Sequence, residues 1–147
     1  MPLPFPFPFH IGTDIVHLPR ILRLITRPGY LTRFTSRILT DQEQSDFRRR
    51  FHLPASLDST VKFPVSRDMA SWLAGRFAAK EAARKAAPEG AGELSWKDVC
   101  VTVGEGDKGK SAKPEILYKI PGRLGRLSIS HDADYVVATV LAAGEVD

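Results

Sequence analysis

The chain has 147 residues, of which 43% are hydrophobic and 26% are charged, a balance typical of a soluble globular domain with its own core. No apolar stretch is long enough to cross a membrane, and the single cysteine, Cys100, excludes both an intramolecular disulfide framework and a metal site built from several cysteines. The net charge is +4, and between Asp14 and Asp41 there are five arginines and no acidic residue. Such a basic surface attracts an acidic partner, although a solvated basic face is the simpler interpretation.

The first nine residues form a leader in which proline and phenylalanine alternate. Proline removes a backbone donor and fixes φ, so the leader fits neither a helix nor a central strand. It also lacks the positively charged start and the continuous apolar stretch of a secretory signal. We therefore predict a Pro/Phe leader over residues 1–9 and a single domain over residues 10–147, in a protein that is not secreted.

The first predicted element is a strand over residues 10–16, in which side chains alternate between two faces. One face carries Asp14 between a glycine and a valine. A helix is predicted over residues 18–27, because Pro19 suits a first helical turn and apolar side chains recur at helical spacing. Its arginines share a different face, and Pro28 ends the helix.

Two further helices are predicted before a long loop. Residues 30–38 fit a short helix. Thr40 and Glu43 have the spacing of a capping box, which predicts that another helix begins near Asp41. Residues 52–66 contain two prolines and show no regular period, so we predict a loop there.

The strongest helical signal covers residues 68–87, which are rich in alanine and are followed by Pro88. Beyond it, alternating apolar residues separated by turn residues predict four strands. These strands cover residues 99–103, 115–119, 127–130 and 135–141, with turns over residues 104–113, 121–122 and 131–134. Because the helices precede most of the strands, the pattern indicates an α+β domain with an antiparallel sheet.

Two carboxylates stand where a charge needs a partner. Asp14 lies in an otherwise apolar strand, where burial is costly unless a cation pairs with it; an exposed residue or an arginine pair is the simpler interpretation. Glu81 shares one side of the long helix with Lys85, and the simpler interpretation is a surface pair between these two residues. A basic row runs beside Glu81, formed by Arg76, Lys80 and Arg84. A carboxylate among cations suits a metal ion bridged to phosphates.

His131 is the third candidate, because it is predicted to end a strand. There a histidine can donate to a phosphate oxygen or transfer a proton, although a turn residue capped by Asp132 or Asp134 is at least as simple an interpretation. No pair of histidines has the helical spacing of zinc ligands, and neither a Walker A motif nor a dinucleotide fingerprint is present.

Three motifs follow one another along the chain. Residues 12–16 read GTDIV, residues 72–82 read WLAGRFAAKEA, and residues 128–131 read SISH. In this order and spacing they resemble the acyl-carrier-protein synthase family, and the resemblance covers residues 11–141. The chain departs from that family at His17, where an acidic residue is frequent, and in the segment after the long helix, which is usually richer in glycine. Residues 52–67 also form a longer segment than in compact members.

The resemblance implies the α+β fold of 4′-phosphopantetheinyl transferases, with a long central helix packed on an antiparallel sheet and a homotrimer whose active sites lie between protomers. It implies the transfer of 4′-phosphopantetheine from coenzyme A to a serine of apo acyl carrier protein, with release of 3′,5′-ADP, in support of fatty-acid biosynthesis. Asp14 and Glu81 would hold Mg²⁺, and one of them, preferably Glu81, would accept the serine proton.

The same resemblance assigns the substrate contacts. Lys85 and the His131 of a neighbouring protomer would bind phosphate and take part in catalysis. Arg76 and Lys80 would contact coenzyme A. The acidic carrier would bind to basic residues of the first two helices, namely Arg20, Arg23, Arg27 and Arg33. Neither nucleic acid nor a membrane is an expected partner, and the expected compartment is the mitochondrial matrix or the cytoplasm.

Two other functions remain open from the residues alone. A metal-dependent phosphohydrolase could use the same two carboxylates. A basic RNA-binding module would explain the charge, but it would not explain Asp14, and the basic stretch lacks regularly interleaved aromatic residues.

Overall fold

The computed structural model of the protein describes residues 1–55, 64–103 and 113–144. Most of the predicted loop over residues 52–66 and nearly all of the predicted turn over residues 104–113 lie outside the described residues. Within the described ranges, no helix is both long and apolar enough to cross a membrane.

The described strands form one antiparallel sheet. They are β1 (Phe9–His17), β2 (Val99–Val103), β3 (Pro114–Tyr118), β4 (Arg123–Asp132) and β5 (Tyr135–Ala143). Their order across the sheet is β1-β5-β4-β3-β2, and each neighbouring pair is antiparallel, as predicted. The first strand of the chain therefore pairs with the last, and Asp14 stands opposite Ala138.

The helices begin where the sequence places helix-starting signals. They are α1 (Leu18–Thr26), α2 (Tyr30–Ile38), α3 (Asp41–Arg50) and α4 (Arg67–Ala86). Pro19 lies in the first turn of α1, and the predicted capping box of α3 is present, with Thr40 and Glu43 each accepting a backbone N–H of the other. The Ser66 side chain accepts from Met69 N at 3.1 Å and so caps α4. The predicted helix bounds are correct to within a residue or two.

The core lies between α4 and one face of the sheet. Alanines line the buried side of α4, so the helix approaches the strands closely. The closest approach is at Gly12 of β1, where an added Cβ would lie 2.1 Å from Ala82 O. On the same face, Tyr118 of β3 donates from its Oη to Ala83 O at 2.6 Å, and burial raises the pKa of Tyr118 to about 12.

The opposite face of the sheet is exposed, and it carries large apolar side chains together with threonines and serines. Ile11 is 71% exposed and Ile15 is 61% exposed, and both point away from α4. Tyr135 and Leu141 of β5 are paired with residues of this same face and are also exposed. In the described part of the chain no helix packs on this surface, which we call the outer face.

The turn after β4 is shorter than predicted. β4 continues through His131 to Asp132, and only Ala133 and Asp134 connect it to β5. Ala133 adopts a positive φ of 48°, which allows a two-residue connection between twisted strands. His131 therefore belongs to a strand, opposite Val136, rather than to a turn.

Candidate active site

The crossing of β1 and α4 brings Asp14 next to Lys85. Lys85 Nζ donates to Asp14 Oδ1 at 3.2 Å and to Thr13 O at 3.0 Å. The Asp14 side chain is only 17% exposed, and burial raises its pKa above the usual value, although Lys85 opposes this shift. The carboxylate predicted to need a partner therefore has one, and that partner is a lysine rather than an arginine.

Glu81 lies about one turn before Lys85 on α4 and does not form the expected surface pair with it. Its Oε1 instead accepts two hydrogen bonds, from Arg84 Nη1 at 2.7 Å and from Trp96 Nε1 at 2.5 Å. The Glu81 side chain is 22% exposed, so one end of the carboxylate is fixed inside the protein while part of the group still reaches solvent.

The two carboxylates are close enough to influence each other, because the charge of Glu81 is among the causes that raise the pKa of Asp14. Two neighbouring carboxylates, one of them partly desolvated, suit a divalent cation. Among the described residues no third acidic, histidine or cysteine side chain completes an all-protein metal cluster. This donor set fits Mg²⁺, which commonly takes one or two carboxylates together with substrate phosphates and water.

Lys80 is placed contrary to expectation. Its side chain is fully buried, and its Nζ pairs with Glu43 and donates to Ile38 O at 2.6 Å and to Trp96 O at 3.1 Å. All three donors of the ammonium are thus satisfied inside the protein, so Lys80 does not face a coenzyme A site. The sequence placed Lys80 in a basic row with Arg76 and Arg84, but it could not show that Glu43 of another helix reaches this position.

Arg76 lies away from the carboxylate pair. Its guanidinium carbon stands 4.2 Å from the centre of the Trp72 ring, and its Nε is buried without a partner among the described residues. Burial lowers the pKa of Arg76 below its usual value. The side chain lines an open groove between α3, α4 and β2, together with Arg49 and Arg50. The expected contact of Arg76 with coenzyme A stays a prediction.

His131 is exposed on β4 and makes no hydrogen bond to Asp14, Glu81 or Lys85 within the described part of one protomer. Its proposed role in a neighbouring protomer's site stays a prediction. The residues of the predicted carrier face are exposed: Arg20 and Arg23 on α1, Arg27 directly after α1, and Arg33 on α2.

Trp96 is a site residue that sequence reasoning missed. It lies in a short 3₁₀ helix, Trp96–Asp98, between α4 and β2. The available signal was the Ser95-x-x-Asp98 spacing of a capping box, in which Ser95 N donates to Asp98 Oδ2 at 2.8 Å. This spacing indicates an ordered turn, but nothing in it indicates that the indole reaches Glu81.

A long helix, α4, packs on a five-stranded antiparallel sheet, and two carboxylates and a lysine lie where β1 crosses this helix. These features indicate the class of protein that the comparison with known families identifies. The model of the 4′-phosphopantetheinyl transferase superfamily matches residues 10–140, and the chain belongs to this superfamily. It is a transferase of the holo-acyl-carrier-protein synthase type.

Two curated relatives illustrate the similarity. The chain is 64% identical to the mitochondrial 4′-phosphopantetheinyl transferase B of Aspergillus fumigatus over 97% of its own length and 98% of the relative's. It is 39% identical to the holo-[acyl-carrier-protein] synthase of Geobacillus kaustophilus, with 89% and 85% of the two chains covered.

Solved structures show the same fold. The holo-(acyl-carrier-protein) synthase of Bacillus anthracis in complex with CoA (3′,5′-ADP) is 29% identical, with a TM-score of 0.56 over 92% of this chain and 96% of the other. The enzyme of Neisseria meningitidis is 30% identical, with a TM-score of 0.61 over 92% and 98%. The α+β fold predicted from the sequence is therefore confirmed.

Proposed function

We propose that the protein transfers 4′-phosphopantetheine from coenzyme A to a serine of an apo acyl carrier protein, with Mg²⁺ held by Asp14 and Glu81. The observation that carries this proposal is the meeting of Asp14, Glu81 and Lys85 where β1 crosses α4. The relatives named as holo-acyl-carrier-protein synthases, and the related structure in complex with coenzyme A, support the choice of both substrates.

Each residue of the site has a separate role in the proposed transfer reaction. The serine oxygen attacks the β-phosphorus of coenzyme A, the bond from that phosphorus to 3′,5′-ADP breaks, and a carboxylate accepts the serine proton. We assign the proton to Glu81, directly or through water. Mg²⁺ would be held by the two carboxylates with phosphate oxygens and water, and it would neutralise charge on the phosphates.

Lys85 is suited to move from Asp14 to phosphate. Its ammonium is partly exposed, with a side chain 47% accessible, and it already lies beside a proposed metal ligand. With a cation held at Asp14, the Lys85 ammonium would be free to bind a phosphate oxygen of the substrate. Because phosphoryl transfer depends mainly on positioning and on charge stabilisation, a lysine and a divalent cation on one substrate supply most of what the reaction needs.

The outer face supports a homotrimer. Exposed isoleucines on an uncovered sheet surface favour burial against another copy of the chain. Such an assembly would bring the exposed His131 of one protomer to the substrate of the next, and Arg76 would contribute to the coenzyme A cleft. The mitochondrial relative supports a mitochondrial location, in which the product would serve fatty-acid synthesis.

The test combines purified protein, coenzyme A, Mg²⁺ and apo acyl carrier protein, followed by intact-protein mass spectrometry. We expect the carrier to gain one phosphopantetheine group, and Asp14→Asn or Glu81→Gln to lower the rate at least about 10²-fold, because each removes a key electrostatic group. Asp68→Asn, a matched change at an exposed acid in the first turn of α4, should have little effect.

Two outcomes would contradict the proposal. Near-normal turnover of both carboxylate variants in excess chelator would show that no cation acts at this site. Cleavage of coenzyme A without any carrier present, and no transfer when the carrier is added, would instead indicate a metal-dependent phosphohydrolase.

A further inference from the structure

Both donors to Glu81 bind the same oxygen. Arg84 Nη1 and Trp96 Nε1 converge on Oε1, and within the described ranges Oε2 accepts no hydrogen bond. Two donors on one oxygen fix the plane and the direction of a carboxylate, since any rotation that turns the accepting oxygen away from the two donors breaks both bonds. The free oxygen is then held in one orientation.

Trp96 is held independently of Glu81. Its carbonyl oxygen accepts from Lys80 Nζ, and its ring lies 5.1 Å from the guanidinium carbons of both Arg37 and Arg84. The Phe77 ring packs against it with 6.3 Å between the ring centres. Because Lys80 is in turn paired with buried Glu43, the backbone at Trp96 is anchored to a buried ion pair.

Arg84 is fixed in the same way. Its Nε donates to Leu94 O at 2.6 Å and its Nη2 donates to Ala91 O at 2.8 Å. Only Nη1 is directed at Glu81. The guanidinium thus links the segment after α4 back to the helix, and its position does not depend on the carboxylate.

We propose that Trp96 and Arg84 are positioning residues, which hold Glu81 by Oε1 so that Oε2 is presented to the cation. This inference rests on the role of Glu81 in the proposed function. Groups that orient a metal ligand commonly change metal affinity or activity by about 10-fold to 100-fold when they are removed. Trp96 is the cleaner of the two to test, because its donor can be deleted without removing a charge.

The first test compares Trp96→Phe with Trp72→Phe. Both changes keep an aromatic ring under an arginine, but in the described part of the chain the Trp72 indole donates no hydrogen bond. Mn²⁺ affinity is measured by electron paramagnetic resonance of the free ion, with coenzyme A present. We expect Trp96→Phe to weaken Mn²⁺ binding about 10-fold or more and to lower kcat more than it raises KM for coenzyme A. Trp72→Phe should bind Mn²⁺ as the wild type does.

The outcomes separate this inference from the proposed function. Loss of Mn²⁺ affinity in Glu81→Gln with wild-type affinity in Trp96→Phe would overturn the positioning role alone. Equal affinity in the wild type and in Glu81→Gln would overturn both the positioning role and the metal role of Glu81.

A second measurement decides the question if Trp96→Phe does not fold. The chain has two tryptophans, so in Trp72→Phe the fluorescence comes from Trp96 alone. We expect Mn²⁺ with coenzyme A to quench this emission in a saturable manner, while Mg²⁺ does not quench it and Glu81→Gln removes the quenching by Mn²⁺. Emission unaffected by saturating Mn²⁺ would overturn the inference.

Discussion

The ion pair between Lys80 and Glu43 shows how one residue can join several elements. Lys80 belongs to α4, whereas Glu43 belongs to α3 and also accepts from Thr40 N at 2.9 Å and from Val101 N at 3.1 Å. One buried carboxylate thereby caps a helix, satisfies an amide of the edge strand β2 and neutralises a lysine. The sequence predicted the first of these roles from the capping-box spacing, but the other two depend on contacts that only the fold creates.

We predict that Lys80→Met strongly destabilises the protein. It leaves the Glu43 charge buried without its cation, and removal of one partner from a buried pair typically costs about 3–5 kcal/mol. Lys80→Met combined with Glu43→Gln should recover part of this loss, because no unpaired charge remains. Urea denaturation followed by circular dichroism measures both values.

A control for this prediction exists on α3. Arg49 and Asp46 form an exposed pair at 3.7 Å, so Arg49→Met should change the free energy of unfolding by less than about 1 kcal/mol. A loss for Lys80→Met as small as that for Arg49→Met would contradict the view that the buried pair supports the fold.

Among the elements, α1 has an apolar face that packs in the core and a basic face that is exposed. Ile21 and Ile25 face the core, while Arg20, Arg23 and Arg27 are exposed. Amphipathic spacing in the sequence was sufficient to predict both faces, because a short helix must turn its apolar side inward. What the exposed arginines bind is not fixed by that pattern.

We predict that Arg20→Glu raises KM for the acyl carrier protein while leaving coenzyme A binding nearly intact. Exposed charges at an interface chiefly govern the association rate and its salt dependence. Wild-type carrier affinity should fall as salt rises, since the Debye length shortens from about 10 Å at 0.1 M to about 3 Å at 1 M. Steady-state kinetics at low and high salt measure both effects.

The matched control is Arg49→Glu, which makes the same change of charge at an exposed position on α3. If both reversals alter carrier kinetics equally, the effect arises from net charge rather than from α1. Unchanged carrier kinetics for Arg20→Glu at low ionic strength would mean that this face only keeps the protein in solution.

β4 illustrates where the prediction of elements failed. The strand begins at Arg123 rather than at residue 127, because the backbone pairs with β3 through Leu124 and Gly125 even though the sequence there is not clearly alternating. Its far end also continues two residues into the predicted turn, to Asp132. Pairing with β3 determines where β4 begins, and pairing with β5 determines where it ends. The residues that decide these bounds therefore lie in other parts of the sequence.

For the whole molecule, two features favour an assembly with shared sites. The outer face is exposed, and in the described part of the chain His131 makes no hydrogen bond to Asp14, Glu81 or Lys85. We predict that a mixture of Glu81→Gln protein and His131→Ala protein, unfolded and refolded together, regains activity that neither variant has alone. Hybrid trimers would contain some interfaces with an intact Glu81 and an intact His131. Light scattering gives the assembly size, and the transfer assay gives the activity.

The control refolds each variant separately at the same total concentration. A fully active monomer in light scattering would contradict the prediction, as would a mixture no more active than its components. In the first case, His131 would have to act within its own chain or not at all.

The active-site residues were predictable to different degrees. Asp14 and Glu81 stood out because a carboxylate in an apolar or cationic setting needs a partner, and family resemblance supplied the roles proposed for them. Lys80 was misplaced and Trp96 was missed, since the sequence does not reveal which helix or loop packs beside a given residue of α4. Local charge patterns thus predict which groups require a partner, whereas the identity of that partner comes from the packing.

The close contact of Gly12 in β1 with Ala82 in α4 affects how the geometry of the site changes with temperature and with substitutions nearby. No side chain lies between β1 and α4 at this point, since even a methyl group would meet Ala82 O at 2.1 Å and Ala86 N at 2.7 Å. The distance between Asp14 and Glu81 is consequently set by direct contact between the backbones of β1 and α4. Substitutions of core side chains or thermal expansion of the core would therefore change this distance little. We therefore expect the spacing to persist until β1 and α4 separate, so that loss of the proposed cation site and melting of the protein should coincide.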